Sequence, residues 1–324
     1  MMLSSVVFSF CFIPILGNLC QENSATYHFR LGDIRGTVLY DGPLTFSTNP
    51  FFVPFEALRS TYKACFRPIE PLTLSQNVLL LESKVGRVLV DPGSRGGQAN
   101  PLLASGGLLF RNMRAAGILP ESIDHIFLTH AHADHVSGLL GLDGGRAFRN
   151  AKVYIGIKEH RFWITEPLPI SEDHPLRDTL LGFARTYRQS IAPYASRLVL
   201  VRDGGAPLPG FRFLPSPGHS PGHNHIQIAS KGESLIVSGD AWMSKPDQLQ
   251  NPSWQVGTES DPLNARRSRM KLIRQAAKNR SLVFAYHEAF PGLGYVVKSR
   301  EGSFDWVVAP PILIGTGVVQ KCTS

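Results

Sequence analysis

The chain has 324 residues, 43% of them hydrophobic and 18% charged, with a formal net charge of +8. That balance excludes an intrinsically disordered chain, and the length suffices for a large buried core. The four cysteines, Cys11, Cys20, Cys65 and Cys322, include no C-x-x-C pair, which argues against a zinc knuckle or a disulfide framework and leaves only a single Cys65–Cys322 bridge open.

Residues 1–25 open the chain with an apolar run from Leu3 to Leu19, interrupted by Pro14 and Gly17 and followed by Gln21-Glu22-Asn23-Ser24. A run so short and broken reads as a secretory signal rather than a membrane span. Export to the periplasm or the medium is the expectation, with a cytoplasmic location if the segment is not a signal. No other stretch is long and apolar enough to cross a bilayer, so no stable membrane insertion is expected after export. Residues 26–324 read as one domain.

From Tyr27 the pattern is strand-rich. The run Ile34 to Tyr40 stops at the turn signal Asp41-Gly42, and the aromatic-rich Phe46 to Phe66 reads as a flap or a packed surface loop. Two short runs, Asn77 to Leu81 and Arg87 to Val90, form a hairpin around Lys84-Val85-Gly86. Leu102 to Gly117 has helical periodicity, and Ile126-Phe127-Leu128 is a strand. Beyond it come a strand at Lys152 to Ile155, a short helix at Lys158 to Ile164, a Pro-rich loop and an amphipathic helix from Leu176 to Ile191. Four strands follow: Leu198 to Val201, Phe211 to Leu214, Ile226 to Ala229 and Leu235 to Ser238. A helix at Leu263 to Lys278, a strand at Leu282 to Tyr286 and two more strands within Tyr295 to Val308 close the pattern. The cluster Arg266, Arg267, Arg269 and Lys271 reads as one solvated helix face.

The chemistry concentrates in Thr129-His130-Ala131-His132-Ala133-Asp134-His135, where four potential metal ligands fall within six residues at the tip of a strand. Imidazole and carboxylate are borderline ligands suited to Zn²⁺ and similar first-row ions. Three later strands also end in a ligand type: His219 in Pro217-Gly218-His219-Ser220-Pro221-Gly222-His223, Asp240 after Ser238-Gly239, and His287 after Tyr286. A buried strand that ends in such a group has to satisfy it, and a shared metal cluster would satisfy all three.

Together, H-A-H-A-D-H, P-G-H-S-P-G-H, S-G-D and Y-H-E resemble the metallo-β-lactamase-fold hydrolases, and within them the methyl parathion hydrolase group. Leu31-Gly32-Asp33, His287-Glu288-Ala289-Phe290-Pro291-Gly292-Leu293-Gly294 and Ala265-Arg266-Arg267-Ser268-Arg269 extend the likeness. The resemblance implies an α/β fold, the αββα sandwich, and two divalent ions, zinc foremost. It assigns His130, His132 and His219 to one ion and Asp134, His135 and His287 to the other, with Asp240 bridging. Asp91 matches an aspartate that orients ligands without binding metal, though Pro92 follows it where the group more often has Thr. Ala133 stands where close relatives tend to have Pro.

By the same resemblance Asp134 and Asp240 are the catalytic carboxylates, serving a hydroxide shared between ions about 3.5–4 Å apart. Trp163, Met243 and Phe290 are candidate substrate-pocket residues. His223 and His225 carry no assignment, and His28, His125, His160 and His174 read as ordinary surface or loop residues.

The expected activity is hydrolysis of organophosphate triesters or related aryl esters, with acyl-homoserine lactone opening as the alternative on the same ligands. A β-lactamase fits less well because of the bridging aspartate. A serine hydrolase lacks its G-x-S-x-G elbow, and no clustered basic arm supports a nuclease. The expected partner is a small ester or lactone, not nucleic acid. A homodimer is implied by the resemblance alone.

Overall fold

The computed structural model describes residues 25–98, 103–173, 176–299 and 302–310, so the apolar N-terminal run, His174 and Cys322 lie outside the described residues. Its apolar runs pair into two sheets. The first holds β1 (Thr26–Leu31), β2 (Ile34–Phe46), β3 (Leu72–Ser83), β4 (Gly86–Val90), β5 (His125–Leu128), β6 (Lys152–Gly156) and β7 (Leu198–Val201), side by side in chain order. The second holds β8 (Phe211–Pro215), β9 (Asn224–Ser230), β10 (Glu233–Val237), β11 (Leu282–Phe284), β12 (Leu293–Lys298) and β13 (Phe304–Val308), again neighbour to neighbour. Strands β4 to β7 run parallel, as do β10 and β11, and the other pairs are antiparallel.

Strand alternation explains the layering. On β3, Leu79 and Leu81 point between the sheets against Phe127, Phe213, Ile226 and Val237. Val78 and Leu80 point the other way, toward side chains of the helices α2 (Leu109–Ala115), α3 (Ala133–Val136), α4 (Ile157–Ile164) and α5 (Arg177–Ile191). Outside the second sheet, α6 (Pro262–Asn279) lays Leu272, Ile273 and Ala276 on Ile236, Val283 and Val296. Helix, sheet, sheet, helix is the order of the layers. Each fully buried Leu, Ile, Val or Phe contributes about 1.5–3 kcal/mol, so three continuous clusters outweigh the polar groups buried among them.

Four expectations change. Asp41-Gly42 does not end a strand: β2 runs on to Phe46 through a register shift there. The Asp41 carboxylate is buried and accepts from Ser94 N at 2.7 Å and Leu109 N at 2.8 Å, so the apparent turn is a bulge that pins two loops. The Phe46–Phe66 segment includes a helix, α1 (Phe55–Ala64), that buries Leu58 and Tyr62. Helix α2 starts only at Leu109, since Gly107 takes a left-handed φ of 80° just before it. Arg269 is not on the solvated face. It is buried, paired with Glu259, and donates to Ala241 O and Pro252 O at 2.8 Å each. Among the described residues Cys65 has no disulfide partner, and the Cys65–Cys322 pairing lies outside them.

Candidate metal centre

Five strand ends assemble the site. Past β5, Thr129 leads into His130-Ala131-His132, and Asp134 and His135 form the first turn of α3. His219 sits between β8 and β9, Asp240 follows β10, His287 follows β11, and Asp91 follows β4. All seven predicted ligands are buried. They converge as two groups, His130, His132, His219 and Asp240, and Asp134, His135 and His287, with ligand-type atoms in each lying within 4.8 Å of one another.

Asp240 joins the groups. Its Oδ2 lies 3.1 Å from His219 Nε2 and 3.2 Å from His287 Nε2, and its Oδ1 lies 3.1 Å from His135 Nε2. Asp134 Oδ2 is 3.3 Å from His287 Nε2 and 3.6 Å from His135 Nε2. His132 meets the first group through Nδ1, 3.0 Å from His219 Nε2.

Three rings are oriented from behind. His287 Nδ1 is 2.8 Å from Ser75 O, and a carbonyl only accepts, so Nδ1 carries a proton and Nε2 faces the cluster. His135 does the same toward Asp91 Oδ2 at 3.0 Å. Thr129 gives its hydroxyl proton to Asp91 Oδ2 at 2.7 Å, which leaves its oxygen to accept from His130 Nδ1 at 3.1 Å. Asp91 therefore orders two ligands at once. It also accepts from Thr129 N at 2.8 Å, and it does so from a left-handed φ of 49°, which costs a non-glycine residue on the order of 1–3 kcal/mol.

The donor set fits divalent ions. His130 Nε2, His135 Nε2 and Asp240 Oδ1 are buried with no hydrogen-bond partner. Orphaned groups that face one another in a dry site are stable when a cation is shared among them. Imidazole nitrogen with carboxylate oxygen is the mixture zinc and its neighbours prefer.

The electrostatics divide the same way. Burial holds His130 and His132 well below the usual imidazole range, and neighbouring imidazoles push further in that direction. Burial would raise Asp240, but His135, His287, His219 and His130 outweigh it and hold the carboxyl well below its usual value. Burial would likewise lower His135 and His287. The carboxylates Asp240 and Asp134 reverse that, raising His135 well above its usual range and His287 to about 10. A shared cation would take the place of protons on these two rings.

Two further groups hold the site together. His223 donates from Nδ1 to Ser216 O and accepts at Nε2 from Asp240 N, both at 3.0 Å, so it fixes the backbone that carries Asp240. Gly239 makes room for it, since a Cβ there would stand 2.6 Å from His223 Nε2 on a backbone with φ of 53°. Glu159 is fully buried. It accepts from Ala131 N at 2.9 Å, Trp163 Nε1 at 2.7 Å, and Ser220 Oγ and Gly222 N at 2.8 Å each, tying the H-x-H loop to the His219 loop.

Comparison with known proteins places this geometry. Residues 72–287 match the family model of the metallo-beta-lactamase superfamily. The chain belongs to that superfamily. It is a metal-dependent hydrolase with the superfamily's α/β fold. An N-acyl homoserine lactonase from a Bacillus species is 24% identical over 245 residues, 71% of this chain and 87% of the relative. Among solved structures, the hydrolase AbOPH of the beta lactamase superfamily is 29% identical with a TM-score of 0.81, over 88% of this chain and 97% of its own. AidC, a dizinc quorum-quenching lactonase solved with N-hexanoyl-L-homoserine, is 25% identical with a TM-score of 0.77, over 89% and 98%.

Beside the ligands lies a narrow cavity of about 60 Å³. Asp134, His132, Asp240 and His287 reach it, and Met243 lines it as expected. Trp163 and Phe290 do not. Trp163 is buried beneath the site, edge-on to the His132 ring at 5.6 Å, because its indole N–H is drawn to Glu159. Phe290 stacks edge-on against Tyr40 and is 37% exposed. Phe46, Leu103, Phe183 and Val256 form the apolar wall instead, and Phe183 lies 4.4 Å from the His132 ring. Apart from the ligand-type residues, Thr258 is the one polar side chain in that lining among the described residues.

Proposed function

We propose that this hydrolase opens uncharged, apolar esters at a two-ion centre, with lactones first and aryl or organophosphate triesters as the second reading. The observation that carries the substrate class is the cavity lining, which among the described residues consists of apolar side chains, Thr258 and the ligand residues, with no Lys or Arg. A substrate with a carboxylate or a phosphodiester would find no counter-charge in that wall. The lactonases among its relatives weigh toward cyclic esters. The likeness to the methyl parathion hydrolase group keeps triesters as the second reading.

In this reading His130, His132 and His219 would hold one divalent ion and Asp134, His135 and His287 the other, with Asp240 serving both groups. When bound, the ions supply Lewis acidity and make water acidic near neutral pH. Asp134 does the proton work: its carboxylate reaches the cavity, takes a proton from the attacking water and returns it to the leaving oxygen. His223 and Asp91 keep Asp240, His130 and His135 in register, and Phe183 and Val256 exclude bulk water. On the same proposal, residues 1–25 direct export, which N-terminal sequencing of the mature protein tests.

The test is a parallel rate assay on metal-quantified protein with an acyl-homoserine lactone, phenyl acetate and methyl paraoxon, each beside Asp240→Ala. Lactone opening that exceeds the other two and vanishes in the variant is expected. Faster phosphotriester turnover selects the second reading. Full metal loading with no turnover of any of them contradicts the substrate class.

A further inference from the structure

Helix α6 has six cations, Arg266, Arg267, Arg269, Lys271, Arg274 and Lys278, and no Asp or Glu across its 18 residues. Only Arg269 turns inward, to Glu259. The other five are exposed on one face, and among the described residues they form no ion pair. Spacings of three and four put Arg267, Lys271, Arg274 and Lys278 on one stripe, with Leu263, Arg266 and Met270 on the adjacent one. Two shallow grooves of about 660 and 480 Å³ run along this face, the second reaching Lys298 and Phe304 of the sheet beneath.

Like charges at i, i+4 repel, so a helix with no compensating acid gives up stability that a polyanion would restore. We propose that this face docks the protein on an anionic lipid surface. A flat row of cations matches a plane of headgroup phosphates. Leu263, 69% exposed at the start of the helix, and the partly buried Met270 offer apolar side chains to the acyl boundary, as interfacial helices do. A groove for single-stranded nucleic acid would instead alternate its cations with several aromatic side chains for stacking; α6 has none, and Phe304 is the one aromatic lining either groove among the described residues. The metal cluster has no part in the contact, so docking and hydrolysis are separate readings with separate tests.

The experiment is sedimentation of the full chain with pure phosphatidylcholine vesicles and with equimolar phosphatidylcholine and phosphatidylglycerol. Each Lys or Arg near such a surface strengthens binding by about fivefold. The quadruple variant Arg267→Gln, Lys271→Gln, Arg274→Gln, Lys278→Gln should therefore lose about 100-fold or more on the anionic vesicles. A charge-matched variant on the far side, Lys84→Gln, Lys152→Gln, Arg161→Gln, Arg185→Gln, should lose less than about tenfold. Neutral vesicles read out any contribution of the apolar N-terminal run, which both variants retain. Equal losses in the two variants, or no preference of the native chain for anionic vesicles, would overturn the proposal. So would tighter, α6-dependent binding to a short RNA than to the vesicles.

Discussion

Asp240 and Glu159 are two fully buried carboxylates at the same site, and they do opposite work. Four imidazoles surround Asp240, which is held well below the usual carboxyl range and keeps one oxygen free of any hydrogen bond. Glu159 meets only neutral donors, which occupy both its oxygens, and burial raises it. Burial alone therefore says little about function. The partners decide: charged neighbours and an unused lone pair suit a carboxylate to ligation, whereas saturated neutral contacts make a brace between two loops.

The sharpest way to break that contrast is Asp240→Ala. Losing the shared carboxylate should abolish full metal loading and lower kcat/KM by about three orders of magnitude or more, given the several kcal/mol that metal ions contribute. Elemental analysis beside rates checks it. Asp91→Asn should act through two ligands it orders without touching either ion, costing about 10–100-fold in metal affinity, read by competition with a chelator. Glu159→Gln should be the mirror image. Metal content stays, activity stays within about tenfold, and thermal stability falls by roughly 1.5–3 kcal/mol for a weakened charge-assisted hydrogen bond. Inactivity with two ions still bound would make Glu159 part of the chemistry and erase the distinction. Phe183→Ala is the smallest change: KM for an apolar ester should rise about 10–200-fold or less, with kcat nearly unmoved, since it removes only apolar contact.

The same contrast explains what was legible in the sequence. The candidate ligands stand at strand ends as conspicuous His and Asp, four of them within six residues, so singling them out needed no tertiary information. Glu159 gave no comparable signal: apart from Trp163, four residues on, its partners lie 28 and 61–63 residues away, and a backbone N–H or a serine hydroxyl inside a motif does not point to the distant carboxylate it serves. Trp163 was read as a pocket residue from the family resemblance of its stretch, yet its N–H is committed to Glu159 and its ring lies under His132. Phe183 was missed because on a helix a cavity-facing aromatic has the same periodicity as a core one. Apolar alternation marked strands and helices, and the layer order came only from the family resemblance. The bulge at Asp41-Gly42 came from neither, because a buried carboxylate that pins two loops looks locally like any turn.

The most direct test is stepwise return of zinc to metal-free protein, counting ions per chain against recovered hydrolysis. Activity that returns only as the second ion binds, and never returns in Asp240→Ala, is the predicted result. Full activity with one ion, or in the variant, would contradict a centre in which Asp240 joins two metals.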